Sequence, residues 1–328
     1  MINLKQNGKL GFGTAPLGNM FRDVPEEEAL ETVKTAWDNG IRYFDTAPFY
    51  GAGLAEMRLG AVLSNYDRDD YVLSTKVGRL ILDEEEEKEG LFEFGHKNKI
   101  VNDYSAEGTR RSIKDSMERL KTDRLDFVYV HDISPDFHGD QWLSLFEEAR
   151  TGAFRELNKL RDEGVIKGWG LGVNTTEPIE LANELEETKP DIHVQATQYT
   201  LLDHEYALQR LMPGSEEKGI KIVVGAPYGS GVIAGGSHYA YQKAPSEINS
   251  RVERMNEIAK RHQVSLISAA LQFSAAHPAV AAVIPGTTRP ERILENINAM
   301  NADIPVAFWE EMREQKLISP EAPLPIKE

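Results

Sequence analysis

A short apolar run followed by a longer amphipathic segment recurs about eight times between Leu10 and Met300, which leaves the chain few folds to choose from. The strand-like runs are Leu10–Thr14, Ile41–Thr46, Tyr71–Lys76, Leu125–His131, part of Val165–Val173, Ile192–Gln195, Ile220–Gly225 and Ala281–Ile284. Between them, helical periodicity covers Glu26–Asn39, Leu54–Leu63, Ser105–Leu120, Trp142–Glu163, Pro178–Glu187, part of 196–219, Arg251–His277 with a break near Gln263–Val264, and Glu291–Met300. Gly40 and Gly164 follow two of these segments as helix C-caps do. Repeated β–α alternation predicts a parallel sheet with right-handed crossovers, and eight units in roughly 300 residues fit a closed barrel. The expected fold is therefore an α/β (β/α)8 (TIM) barrel formed as a single domain over residues 1–328. An open doubly wound sheet would carry G-x-G-x-x-G after its first strand; Gly11-Phe-Gly13-Thr-Ala-Pro16 is a poor match.

Composition narrows the function classes. A net charge of −16 repels phosphate backbones and anionic lipid, so nucleic acid and membrane partners are not expected. The chain has no cysteine, which rules out disulfides and thiolate metal sites, and its eight histidines form no H-x-x-x-H or HExxH pair. No metal site is expected. Met1–Leu10 is polar and resembles no leader, and no run of about 18 apolar residues occurs. The expected location is cytoplasmic; oligomeric state is not legible.

Polar residues stand just beyond three consecutive apolar runs. Ile41-Arg-Tyr-Phe-Asp45-Thr-Ala-Pro-Phe-Tyr50-Gly51 ends the second strand, Val72-Leu-Ser-Thr-Lys76-Val-Gly78 the third and Asp126-Phe-Val-Tyr-Val-His131-Asp132 the fourth. In a barrel these ends meet at the catalytic mouth. Taken singly, the tyrosine reads as packing, the Asp–Lys pair as a structural ion pair and the histidine as a satisfied hydrogen-bonder. Converging, they form a proton-handling set. An ammonium favours the phenolate of a nearby tyrosine, a carboxylate holds the ammonium, and an imidazole orients a carbonyl or hydroxyl. Such a set suits hydride transfer coupled to proton transfer.

The segments FDTAPFYG, STKVG and YVHD resemble the second-, third- and fourth-strand signatures of the aldo-keto reductases, and the resemblance runs from Leu10 to the helix after Ile284. It implies an NAD(P)-dependent oxidoreductase in which Tyr50 gives or takes the proton, Lys76 and Asp45 tune it, and His131 orients the substrate oxygen. GTAPLGNMF, DTAPFYGAGLAEMRLG, DYSAEGTRRSIKDSMERL, VHDISPDF and GVIKGWGLGVN look like the branch with L-fucose or D-threo-aldose 1-dehydrogenase, L-galactose dehydrogenase and pyridoxal 4-dehydrogenase. That branch implies oxidation of a cyclic hemiacetal to a lactone, with Tyr50 as general base. A general NADPH-dependent aldehyde reductase and a cofactor-binding regulatory subunit on the same barrel are the alternatives.

Val283-Ile-Pro-Gly286-Thr287-Thr-Arg289-Pro-Glu-Arg292-Ile-Leu-Glu295-Asn296 follows the last strand and opens a helix, where barrels often hold phosphate. By the resemblance, Gly286 and Thr287 lie near the adenosine ribose, Arg292, Glu295 and Asn296 near the adenine, and Asn174 holds the carboxamide. NADP-preferring relatives often carry lysine where this chain has Gly286. Arg289 or Arg292 replaces that charge only in part, so the expectation leans towards NAD, with NADP the alternative. Two departures concern nicotinamide packing. The glutamine before the tyrosine ending the sixth strand is out of register in Gln195-Ala-Thr-Gln198-Tyr199, and Gly225 replaces the usual seventh-strand tyrosine, with Tyr228 nearby.

Substrate walls are sought among Phe21, Phe49 and Trp142, each of which also reads as packing. The segment 83–103 opens with the acidic run DEEEEKE, Asp83–Glu89. It reads either as a solvated acidic loop or as a rim element whose Phe92 and Phe94 roof a small-molecule pocket.

Overall fold

The computed structural model describes residues 8–326; most of the polar stretch Met1–Leu10 lies outside them. Eight strands pair in chain order, every neighbouring pair parallel: β1 (Phe12–Gly13), β2 (Tyr43–Asp45), β3 (Val72–Val77), β4 (Phe127–His131), β5 (Gly168–Val173), β6 (Ile192–Ala196), β7 (Lys221–Gly225) and β8 (Val280–Ile284). Parallel bridges Leu10↔Val283 and Gly13↔Gly286 bring β8 back to β1 and complete the expected (β/α)8 barrel.

Local signals set the helix ends. Helix Glu26–Asp38 opens with three glutamates, whose charge suits the positive end of the helix dipole. It stops at Gly40, whose φ of +84° lets the Ile41 N–H turn back to the Ala36 carbonyl at 2.9 Å. Ser105 caps helix Ala106–Leu120 by accepting from the Gly108 N–H at 3.0 Å.

Side chains alternate across each strand, which separates two cores. Inside the barrel pack Tyr43, Phe127, Tyr129, Ile192, Val194, Val223, Ala282 and Ile284. Between strands and helices lie residues such as Val33, Phe44, Val128, Phe154, Leu171 and Val224.

Several elements depart from the sequence reading. The 83–103 segment belongs to an antiparallel hairpin, Arg79–Glu85 against Asn98–Asn102, whose acidic residues face solvent. Phe92 folds back beneath it and is buried, whereas Phe94 is exposed. The Trp142–Glu163 segment is two helices, Trp142–Thr151 and Ala153–Asp162, broken where Gly152 passes too close to the Tyr104 carbonyl for any Cβ. A short hairpin, His238–Tyr239 with Gln242–Lys243, rises between β7 and helix Ser246–Arg261. Helix Val306–Glu314 follows the last barrel helix, Pro290–Asn301. No helix among the described residues is long and apolar enough to cross a membrane.

Candidate active site

Strand alternation sends Tyr43 and Asp45 of β2, Ser74 and Lys76 of β3, and Tyr129 and His131 of β4 into the barrel; the last residue of each pair stands at the strands' C-terminal end. Asp45, Lys76 and His131 are 2%, 2% and 5% exposed, so every polar atom there needs a partner. Lys76 Nζ donates to Asp45 Oδ2 at 2.6 Å and to the Thr46 carbonyl at 2.8 Å. Ser74 Oγ donates to Asp45 Oδ1 at 2.7 Å, and the Tyr43 hydroxyl lies 3.0 Å from both Ser74 Oγ and the Tyr129 hydroxyl. This chain of bonds compensates the desolvation that makes a bare buried ion pair costly. Gly172 of β5 leaves room for the lysine: a Cβ there would stand 3.2 Å from Lys76 Cε.

Tyr50 comes from the loop after β2. That loop is clamped by the turn Ala15–Gly18, where a Cβ at Gly18 would collide with the Tyr50 carbonyl and one at Gly51 with the Gly18 carbonyl. The Tyr50 ring lies 4.8 Å from Lys76 Nζ and meets the His131 ring edge-on, centroids 5.7 Å apart. All four predicted residues therefore converge.

Their electrostatics correct one expectation. Burial, with Asp45 and Asp132, pushes the Tyr50 phenol well above its ordinary pKa; Arg79 opposes them, and Lys76 is spent on Asp45. The free protein holds a phenol rather than a phenolate. Burial, with Lys76 and Arg79, pushes His131 well below the usual imidazole range, so that ring is neutral. A protonated phenol beside a neutral imidazole can deliver a proton to an oxygen the imidazole orients.

Two cavities meet here. A cleft of about 570 Å³ runs from Asp45 and Tyr50 to the β8 loop and helix Pro290–Asn301. Its far end holds Gly286, Thr287, Arg289, Arg292, Glu295 and Asn296. A side chamber of about 60 Å³ is walled by Phe49, Phe92, Phe137, His131, Asp132 and Asn174. Ala15, Met20, Tyr50, Val194, Ala196 and Tyr241 line both.

The cleft suits an elongated anion. Helix Pro290–Asn301 has no side-chain cap at its N-terminus, and Arg289 makes no ion pair among the described residues. Uncapped amides and a spare guanidinium are the donors a phosphate needs. Arg292 is tied to Glu295 at 2.6 Å, and the Asn296 side chain accepts from the Tyr228 hydroxyl at 2.6 Å. Thr287 Oγ1 accepts from the Arg289 N–H at 3.1 Å. A Cβ at Gly286 would crowd Pro16 and the Gly13 carbonyl.

Other candidates are placed differently. Asn174 lines the chamber rather than the cleft and donates to Asp136 Oδ2 at 2.9 Å. Gln195 points out of the barrel, donating to the Ala196 carbonyl at 2.9 Å. Phe21 stands on the cleft rim, stacked on His238 with centroids 4.3 Å apart. Phe49 walls the chamber, T-shaped against Phe92 and His131. Trp142 lines neither cavity: its ring packs on Phe146 against the outer core, a correction to its candidacy as a wall, because its helix starts outside the mouth. Sequence reasoning passed over Asp132, Arg79 and Tyr241. Asp132 adjoins His131 and was within reach of the strand-end rule. Tyr241 sits at a hairpin tip with φ +64°, where no pattern announces it.

The chain is 37% identical to pyridoxal 4-dehydrogenase of Microbacterium luteolum, over 94% of each chain. It is 35% identical to D-threo-aldose 1-dehydrogenase of a Pseudomonas species, again over 94% of each. An aldo-keto reductase of Bacillus halodurans, solved in its holo form, superposes with a TM-score of 0.71 at 25% identity, covering 95% of this chain and 92% of that one. The model of the aldo/keto reductase family matches residues 9–316, and the chain belongs to that family of NAD(P)-dependent oxidoreductases.

Proposed function

We propose that this enzyme oxidises a cyclic hemiacetal to its lactone, with nicotinamide dinucleotide as hydride acceptor and Tyr50 as the group that takes the anomeric proton. The observation that carries the reading is the meeting of cleft and chamber at Tyr50, with Lys76–Asp45 beneath it and His131 beside it. The names of the two relatives given above, an aldose dehydrogenase and a pyridoxal dehydrogenase, support the same class.

Gly286, Thr287, Arg289, Arg292, Glu295 and Asn296 would hold the adenosine end of the dinucleotide, and Asn174 its carboxamide. When bound, the dinucleotide supplies the hydride acceptor and, in its oxidised form, a positive charge. NAD is the preferred form: Gly286 offers no cation, and Arg292 is neutralised by Glu295. In the chamber, His131 orients the substrate oxygen while aromatic rings exclude water. Tyr50 takes the proton in its ionised form, which Lys76 steadies beforehand, and the phenol so formed returns that proton to solvent.

Because the resting phenol is protonated, oxidation should quicken as pH rises, while carbonyl reduction should hold its rate towards neutral pH. The protonated phenol is also the one feature that favours the second reading, a general aldehyde reductase. The test is initial rates with NAD and NADP on L-fucose, D-arabinose, L-galactose and pyridoxal, beside NADPH reduction of simple aldehydes. Turnover of a hemiacetal supports the proposal; aldehyde reduction alone selects the second reading. Tyr50→Phe should lower turnover about 10²–10⁴-fold, the usual contribution of a positioned acid–base group, with dinucleotide binding retained in a fluorescence titration. Full turnover by that variant would refute the role given to Tyr50.

A further inference from the structure

The chamber holds a buried charge pair that hydride and proton transfer leave unused. Asp132 follows His131 at the end of β4 with φ +53°, a left-handed conformation that aspartate tolerates better than most residues. Strand alternation alone would send the side chain out towards the helices; the turn brings it to the chamber wall instead. Its Oδ2 accepts from Arg79 Nη2 at 2.7 Å and lies 3.5 Å from His131 Nε2. No donor among the described residues reaches Oδ1.

Arg79 starts the acidic hairpin and is itself confined. Its guanidinium carbon lies 3.9 Å from the Phe49 ring centroid and 4.9 Å from that of Phe137. The Arg79 and Asp132 side chains are 10% and 5% exposed. A buried ion pair adds little to stability, and a buried donor without an acceptor, as at Arg79 Nε, detracts from it. An arrangement of that kind is explained if a ligand completes it.

We propose that Asp132, fixed by Arg79, determines specificity by accepting a hydrogen bond from a substrate hydroxyl on the carbon next to the reacting one. The placement fits. His131 orients the reacting oxygen, and with its Nε2 only 3.5 Å from Asp132 Oδ2 the carboxyl stands beside that oxygen, where a hydroxyl on the adjacent carbon would lie. The substrate class is then an α-hydroxy hemiacetal or aldehyde, as in an aldose, rather than a plain aldehyde. This rests on the hemiacetal reading and sharpens it.

The test compares substrates before it compares variants. Wild-type kcat/KM is measured for an aldose against its 2-deoxy counterpart in oxidation, and for glycolaldehyde against acetaldehyde in reduction. A hydrogen bond to a charged acceptor should favour the hydroxylated member about 10- to 100-fold. In Asp132→Leu that ratio should fall to within about threefold. Because removing the carboxylate strands Arg79, the double variant Arg79→Met/Asp132→Leu removes both charges, and thermal unfolding verifies its fold; the same collapse of the ratio is expected. Equal wild-type rates on both members, or a variant that loses both members equally, would overturn the assignment. If no aldose is oxidised, the hemiacetal reading fails, and the glycolaldehyde-to-acetaldehyde ratio still decides the role of Asp132.

Discussion

Asp132 and His131 are neighbours in the chain and in space, yet burial moves their protons in opposite directions. The Asp132 carboxyl is pushed from 3.8 up to about 6 by burial, with Asp136 reinforcing it and Arg79 and Lys76 opposing it, while burial pushes the imidazole well below its usual range. Two consequences follow from the sign. A carboxyl easier to protonate in the folded state opposes folding once ionised, so its cost to stability grows as pH rises from about 4 to about 6. The stability of Asp132→Asn relative to wild type should therefore improve between pH 4 and pH 8, as read by urea unfolding. In activity, a protonated Asp132 is a poor acceptor. Wild-type kcat/KM for the hydroxylated substrate should show a limb falling below about pH 6, which Asp132→Asn should lack. A limb that survives in the variant would belong to another group.

At the scale of elements, the turn Ala15–Gly18 is as much a part of the site as the strands. It touches the Tyr50 main chain through two glycines and is tied down by Arg58. The Arg58 guanidinium donates to the Leu17 carbonyl and Asn19 Oδ1 at 2.7 Å and to the Val24 carbonyl at 2.8 Å. Gly18→Ala should push the Tyr50 loop away, lowering kcat/KM about 10²-fold, as misplacing a reacting group by about 1 Å does. The overpacking itself should destabilise the fold by only about 1–3 kcal/mol. Paired kinetics and thermal unfolding would show this split; activity that survives intact would mean the contact does not position Tyr50. The same contact marks the limit of what the sequence discloses. Periodicity located all eight barrel strands, and polar residues at three strand ends located Asp45, Lys76 and His131, because both signals are local. The meeting of Gly18 with Gly51, the register of the 79–102 hairpin and the arrival of Tyr241 depend on residues far apart in the chain. The acidic run concealed the hairpin further, since its charged residues face solvent.

At the scale of the whole molecule, a net charge of −16 bears on the choice of dinucleotide. NADP(H) differs from NAD(H) by a 2′-phosphate, which adds about −1.5 to −2 charges at neutral pH. At the far end of the cleft Arg292 is tied to Glu295 and Arg22 to Glu28, which leaves Arg289 as the one cation there without an ion pair among the described residues to set against the global field. Long-range repulsion reaches about 30 Å at 0.01 M ionic strength and about 8 Å at 0.15 M. Association of NADPH should therefore be slowed more than that of NADH at low salt, and the gap should narrow as salt is added. Stopped-flow fluorescence of both reduced dinucleotides across that range measures it. Glu295→Gln frees Arg292 and removes a negative charge at the cleft, so it should raise NADPH affinity more than NADH affinity. A ratio of association rates that ignores salt, with a Glu295→Gln effect on affinity, would place the discrimination in the cleft alone. If NADPH instead associates faster at low salt, the positive end of the cleft outweighs the rest of the surface, and the preference for NAD falls with it.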